Sequence, residues 1–340
     1  MALRQMAPTP QTTRVSRRVV ILGIGLVLLV ALPWIAEALD DPFWISIATR
    51  MLIYGLAAMS LDLILGYGAM VSFGHAAFFG IGAYVVGILT HHVFYAEVIA
   101  FLPGQWEGSV SAWVQWPLAM LVSGLVACVI GALSLRTQGV YFIMITLAFA
   151  QMLYFFMIGL PTYGGEDGLN LWMRSEIPGL NLNDPWHFYY VVLALLLGWL
   201  GLSQRIVNSR FGRVLTGCRQ NEARMHTLGY PVTRYKLTAF VISGMGAGLA
   251  GALAANQTEF VSPGLMAWST SGELMVMVIL GGMGTLVGPI FGAIVLLTLE
   301  EVLAGITEHW MVILGPILIA VVLFARGGLY RALIGGRHDD

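Results

Sequence analysis

One lysine, Lys236, occurs in the whole chain. It follows Arg234-Tyr235, so no GxxxxGK[ST] phosphate loop exists, and any nucleotide driving this chain would have to be bound by another. Cysteine is almost as scarce. Cys128 falls in an apolar run and Cys218 in a basic segment, on opposite sides of the topology drawn below, which excludes a disulfide or cysteine-based metal framework. No His, Asp or Glu pair recurs at ligand spacing, so no metal site is read. Charged residues make up 10% of the chain against 58% hydrophobic, which excludes a soluble globular protein. Alternating ten-residue patterns are missing and 41 residues are glycine, which excludes an outer-membrane barrel. The net charge of −1 is segregated by side, and nucleic-acid binding is not expected. The fold class is an all-α polytopic membrane protein.

What the chain has is apolar runs. Walked with alternating direction, they are 19–36, 44–65, 70–89, 117–135, 140–160, 186–202, 237–255, 274–280, 287–303 and 311–325. That gives about ten membrane segments, a cytoplasmic tail over 1–18, a permease-like body over 19–325 and a cytoplasmic tail over 326–340. With Arg4, Arg14, Arg17 and Arg18 inside, fifteen of the seventeen basic residues fall on the cytoplasmic side, leaving Arg50 in a span and Arg174 outside. The first run resembles a signal peptide, down to Ser16-Arg17-Arg18 and Ala36-Glu37-Ala38, but a first membrane helix explains the same residues and gives later spans their orientation. Run 274–280 is too short to cross about 30 Å of hydrocarbon and is expected to be broken or re-entrant. The four spans after the first run opposite to the last four, as in an inverted repeat.

Between runs six and seven lies a segment, 203–236, that holds seven of the seventeen basic residues. Inside it, Asn221 is a good N-cap, Glu222 suits a positive helix N-terminus, and Gly229-Tyr230-Pro231 is a stop signal. A helix of about two turns is expected, too short to stand alone in water and so held by its own domain or a second protein.

Two stretches interrupt apolar runs with flexible residues, Gly66–His75 and Gly281–Pro289. Non-helical backbone at membrane depth survives only when buried in protein or lining a cavity, so both point toward a path, with tight inter-helix turns as the plainer alternative. Candidate path residues are Asp62, Ser72, His75, Gln151, Gly281, Gly284 and Thr285. Glu273, Glu300 and Glu301 are further ionisable groups in or at the ends of spans. Two small-residue stripes, Ala76-Gly80-Ala83-Gly87 and Gly244-Gly248-Gly251-Ala255, are expected to form helix-packing seams.

Taken together, Leu61–Gly87, Gly139–Gln151, Gly164–Leu169, Ser209–Phe240, Phe260–Pro263 and Val278–Gly292 resemble the LivM-type permease subunit of branched-chain amino acid ABC importers. The resemblance implies a multi-pass permease of the bacterial inner membrane with both termini cytoplasmic. It implies a homologous LivH-type permease, two cytoplasmic ATPases that carry ATP and Mg, and a periplasmic substrate-binding protein as partners, with no cofactor on this chain. It implies that Glu222, Ala223 and Gly229 dock in a groove of the ATPase, with Arg224 departing from the usual small residue, and Arg219, Asn221 and Leu228 are taken with them as the expected coupling loop. Urea- and amide-importing relatives share the motifs and stand as the alternative, and an ion-coupled secondary transporter as a more distant one. The only opposite charges within one span, Arg50 and Asp62, lie about 18 Å apart along a helix, too far to grip one amino acid head group. Selectivity is therefore expected mainly in the binding protein.

Overall fold

The computed structural model describes residues 12–38, 43–96, 98, 107–324 and 327–330. Arg4, Glu97, Arg326, Arg331, Arg337 and most of both tails lie outside the described residues.

Each of the ten apolar runs is a helix. They are α1 (Thr12–Ala38), α2 (Phe43–Gly68), α3 (His75–Tyr95), α4 (Ala112–Ser134), α5 (Val140–Ile158), α6 (Pro185–Asn208), α9 (Val232–Thr258), α10 (Trp268–Gly281), α11 (Gly288–Ile306) and α12 (Trp310–Phe324). Two more, α7 (Arg210–Gln220) and α8 (Glu222–Thr227), interrupt the basic segment. Among the described residues, eight helices are long and apolar enough to cross a membrane, and α10 and α12 are shorter. The 274–280 run thus becomes a helix of 14 residues, about 21 Å long. A 3-10 turn, Pro263–Met266, prolongs it, so the segment is a broken span. The only sheet among the described residues is the two-residue pair β1 (Leu169–Asn170) and β2 (Phe260–Val261).

At the centre stand α2 and α9. With α9 pack α3 and α4; with α2 pack α6, α10 and α11. The small residues of α9 allow this: a Cβ on Gly251 would fall on the carbonyl oxygen of Phe79, one on Gly248 on the Ser123 side chain, and one on Gly244 on Ala127. The seam expected on α3 needs a correction. Its closest approach to α9 is made by Gly82, whose added Cβ would strike the Gly248 carbonyl, whereas Gly80 faces Met266 and Gly87 faces Leu169. The small residues of α3 thus serve several neighbours: Gly82 and Ala83 meet α9, Gly80 the 263–266 turn and Gly87 the Leu169 side chain.

The segment 69–74 is not helical. His75, the first residue of α3, bonds at the level of Ser60, which lies eight residues inside the Gly68 end of α2. The linker therefore re-enters the bundle as non-helical chain, with Met70, Ser72 and Gly74 buried in protein.

Candidate functional site

The end of the bundle that carries α7 and α8, called here the basic end, gathers most of the expected site residues. α7 has a strongly two-sided sequence: Val214, Leu215 and Cys218 are buried, while Arg213 and Arg219 are exposed. Ser209 caps it by accepting the N–H of Gly212. The reading of the segment missed α7, because its apolar face is three residues wide and is interleaved with arginines. α8 was expected, and its cap is as expected: Asn221 Oδ1 accepts the Arg224 N–H at 2.9 Å, and Gly229 takes a positive φ of 83° after the last turn. None of the six residues of α8 is buried.

Three ties hold this end together. Arg219 donates to the carbonyl of Gly66 at the end of α2. Asp62, one turn earlier and fully buried, accepts the N–H groups of Gly284 at 2.7 Å and Leu286 at 3.2 Å. Lys236 of α9 bonds Glu222 of α8 at 2.5 Å. The loop between α10 and α11 is shaped for this: Gly282, Gly284 and Leu286 all have positive φ, and Thr285 donates to Gly282 O at 2.7 Å while accepting the Gly288 N–H at 3.0 Å. A Cβ on Gly66 would collide with Asp62 and Gly284, and one on Gly281 with the Gly288 carbonyl. Asp62, Gly281, Gly284, Thr285 and Arg219 are thus one cluster, although they were expected in two roles. Within this chain Asp62 is a loop-capping carboxylate, because two backbone donors meet its oxygens.

Beside the cluster is a cavity of about 310 Å³ lined by Met70, Phe142, Cys218, Arg219, Glu222 and Lys236 among others. Burial pushes the Cys218 thiol above its ordinary range; Lys236 pulls it down and Glu222 pushes it up, each by less.

The remaining path candidates lie deeper. Ser72 is fully buried and accepts the Gly74 N–H at 3.1 Å. Ser243 gives its one hydroxyl proton to the Ser60 carbonyl, so His75 Nε2, 2.6 Å away, is the donor between them. That pattern assigns His75 the Nε2-protonated tautomer, and its Nδ1 is buried with no partner among the described residues. Gln151, on the peripheral α5, also has a buried Nε2 without a partner among the described residues. The structure does not bring Gln151 to the basic-end cluster.

At the opposite end, Gln115 accepts from Ser175 Oγ and donates to Thr90 and to Ser109 O, while Asn256 accepts the Ser175 N–H at 2.7 Å. Arg174 bonds Glu259 at 2.6 Å and Leu182 O at 3.0 Å. This polar network fixes the 171–183 loop, and no part of it was singled out from the sequence. Arg174, the lone basic residue on that side, was the available signal.

A family model described as "Branched-chain amino acid transport system / permease component" matches residues 43–322. The high-affinity branched-chain amino acid transport system permease protein LivM of Salmonella typhimurium is 28% identical over 331 residues, covering 89% of this chain and 73% of that protein. LivM of Escherichia coli is 27% identical with the same coverage. The autoinducer 2 import system permease protein LsrC of Klebsiella pneumoniae is 34% identical over 159 residues, 44% of each chain. No solved structure matches the chain.

Proposed function

The chain belongs to the permease family of branched-chain amino acid transport systems, and from that premise we propose that it is the LivM-type half of an ATP-driven importer of branched-chain amino acids. In this reading it sits in the bacterial inner membrane with both termini cytoplasmic. It pairs with a LivH-type permease, is driven by two cytoplasmic ATPases carrying ATP and Mg, and receives substrate from a periplasmic binding protein. What favours this substrate class is identity over comparable length: the LivM proteins are 27% and 28% identical over 89% of the chain, and LsrC relatives aligned over 88% of it are 23% and 25% identical.

The observation that carries the coupling role is mechanical. α8 is exposed and shorter than a stable free helix. Yet Glu222 pins it to α9 through Lys236, and Arg219 at the end of α7 pins the segment to Gly66 of α2. Gly66 in turn abuts the Gly284 loop that Asp62 holds. An ATPase pressing on α8 would therefore act at once on α2, α9 and the α10–α11 loop. Ala223 and Leu228 are exposed, which suits them to the ATPase groove, whereas Glu222 is engaged within the chain.

Ala223→Glu tests it in the co-expressed importer. The variant should insert in the membrane and retain its permease partner, while co-purified ATPase and leucine uptake into proteoliposomes fall at least tenfold. Undiminished ATPase recovery and uptake would overturn the coupling assignment. Uptake of another solute delivered by the cognate binding protein, with none of leucine, isoleucine or valine, would overturn the substrate class.

A further inference from the structure

The sequence offers no opposite charges close together in one span, but folding supplies them from three. Arg50 of α2 lies 3.9 Å from Glu300 of α11, and its guanidinium sits over the Tyr54 ring at 5.6 Å. Glu273 of α10 is within electrostatic reach of Arg50, Glu300 and Tyr54. Glu273 is eight residues from the Gly281 end of α10 and Glu300 twelve from the Gly288 end of α11, so the carboxylates stand about 12 and 18 Å inside the basic end. Arg50 is seven residues from the far end of α2, and its side chain reaches Glu300. Arg50 and Glu300 belong to helices long and apolar enough to cross a hydrocarbon layer of about 30 Å, and Glu273 to the shorter apolar α10 packed against both.

Charged groups at such depth do not face lipid; they face protein or a water-filled passage. The Arg50 and Glu300 side chains remain 43% and 23% exposed in this chain, so the face they share is open to one of these. The charges do not cancel. One guanidinium is paired with Glu300 while Glu273 lies nearby without an ion pair to it, so an acceptor remains that suits an ammonium group, and the guanidinium fork suits a carboxylate. An aromatic wall, Tyr54 against Phe79 at 5.7 Å, flanks the cluster.

We propose that Arg50, Glu273 and Glu300 form a transient station for the carboxylate and ammonium of an α-amino acid on its way through the membrane. The inference rests on the amino acid import reading and adds to it where this chain meets the substrate. Held by one arginine on an open face, the site is a weak one, consistent with release in the forward direction.

The test uses the complete importer in proteoliposomes at saturating binding protein, with leucine as the probe and co-purification of all subunits as the assembly control. Arg50→Gln and Glu273→Gln should each lower leucine turnover at least tenfold in fully assembled complexes, and Arg50→Lys should restore part of it. The charge exchange Arg50→Glu with Glu300→Arg should stay impaired, because it puts an anion where the substrate carboxylate must bind. Full recovery in that exchange would show that the pair only braces α2 against α11 and would overturn the proposal, as would loss of the partner permease from the single variants. If unaltered protein carries no amino acid, the import reading itself fails; if it does and the variants match it, only the station does.

Discussion

Where α9 meets α3 and α2 the chain is sealed by glycines laid against carbonyl oxygens of α3 and α9 and by serines and a histidine bonded across the three helices. In α7 and α8 shape is held instead largely by two caps, one arginine-to-carbonyl bond and one ion pair, with about half of the side chains in the open. The first region tolerates no added atom. The second tolerates surface change but depends on a few directional bonds, as a segment that must receive force from another protein and pass it inward should.

The sharpest way to break this contrast is to add volume on each side of it. Gly251→Leu should abolish folded protein, since a Cβ there lands on the Phe79 backbone, well beyond the ~1–3 kcal/mol of ordinary overpacking. Ala223→Leu on α8, an exposed position, should leave the melting temperature unchanged. Monodisperse yield in detergent reads both, and equal loss in the two would dissolve the distinction.

A smaller effect is expected where the regions join. Asp62→Ala strands the buried Leu286 N–H and the part-buried Gly284 N–H, at ~1–3 kcal/mol for the buried one and less for the other, whereas Asp62→Asn keeps an oxygen for one of them and should lose about half as much. Thermal melting of the purified permease pair gives the comparison. Identical melting of both variants would mean that the loop does not need the carboxylate.

The smallest effect is chemical. With its thiol pKa raised by burial, Cys218 holds less thiolate at a given pH, so its labelling rate should climb at higher pH than that of a free cysteine. Lys236→Met removes the cation that pulls the pKa down, so the profile should move further toward alkaline pH. A shift toward acid would contradict the packing of Lys236 beside Cys218.

The apolar runs, the Asn221 cap and the half-length α10 were legible because hydropathy, cap chemistry and length are local properties. α7 was not, since three buried side chains among arginines read as loop. Nor was the meeting of Arg50 with Glu300 and Glu273: a search within one span finds Asp62 as the opposite charge, and only packing brings in α10 and α11. Asp62 itself was singled out because it is ionisable at depth, but that property does not distinguish a path-lining acid from a loop cap.

The re-entrant stretch before α3 bears on how the protein is made. Phe73 O and Ala76 N both bond Ser271, about 195 residues downstream, and His75 bonds Ser243, 168 residues downstream. When the first five helices leave the ribosome, none of those partners has been synthesised. The stretch 69–76 must then wait in some other position, and draw back into the bundle only after α9 and α10 have arrived, which makes completion of the amino-terminal half an event of late biosynthesis.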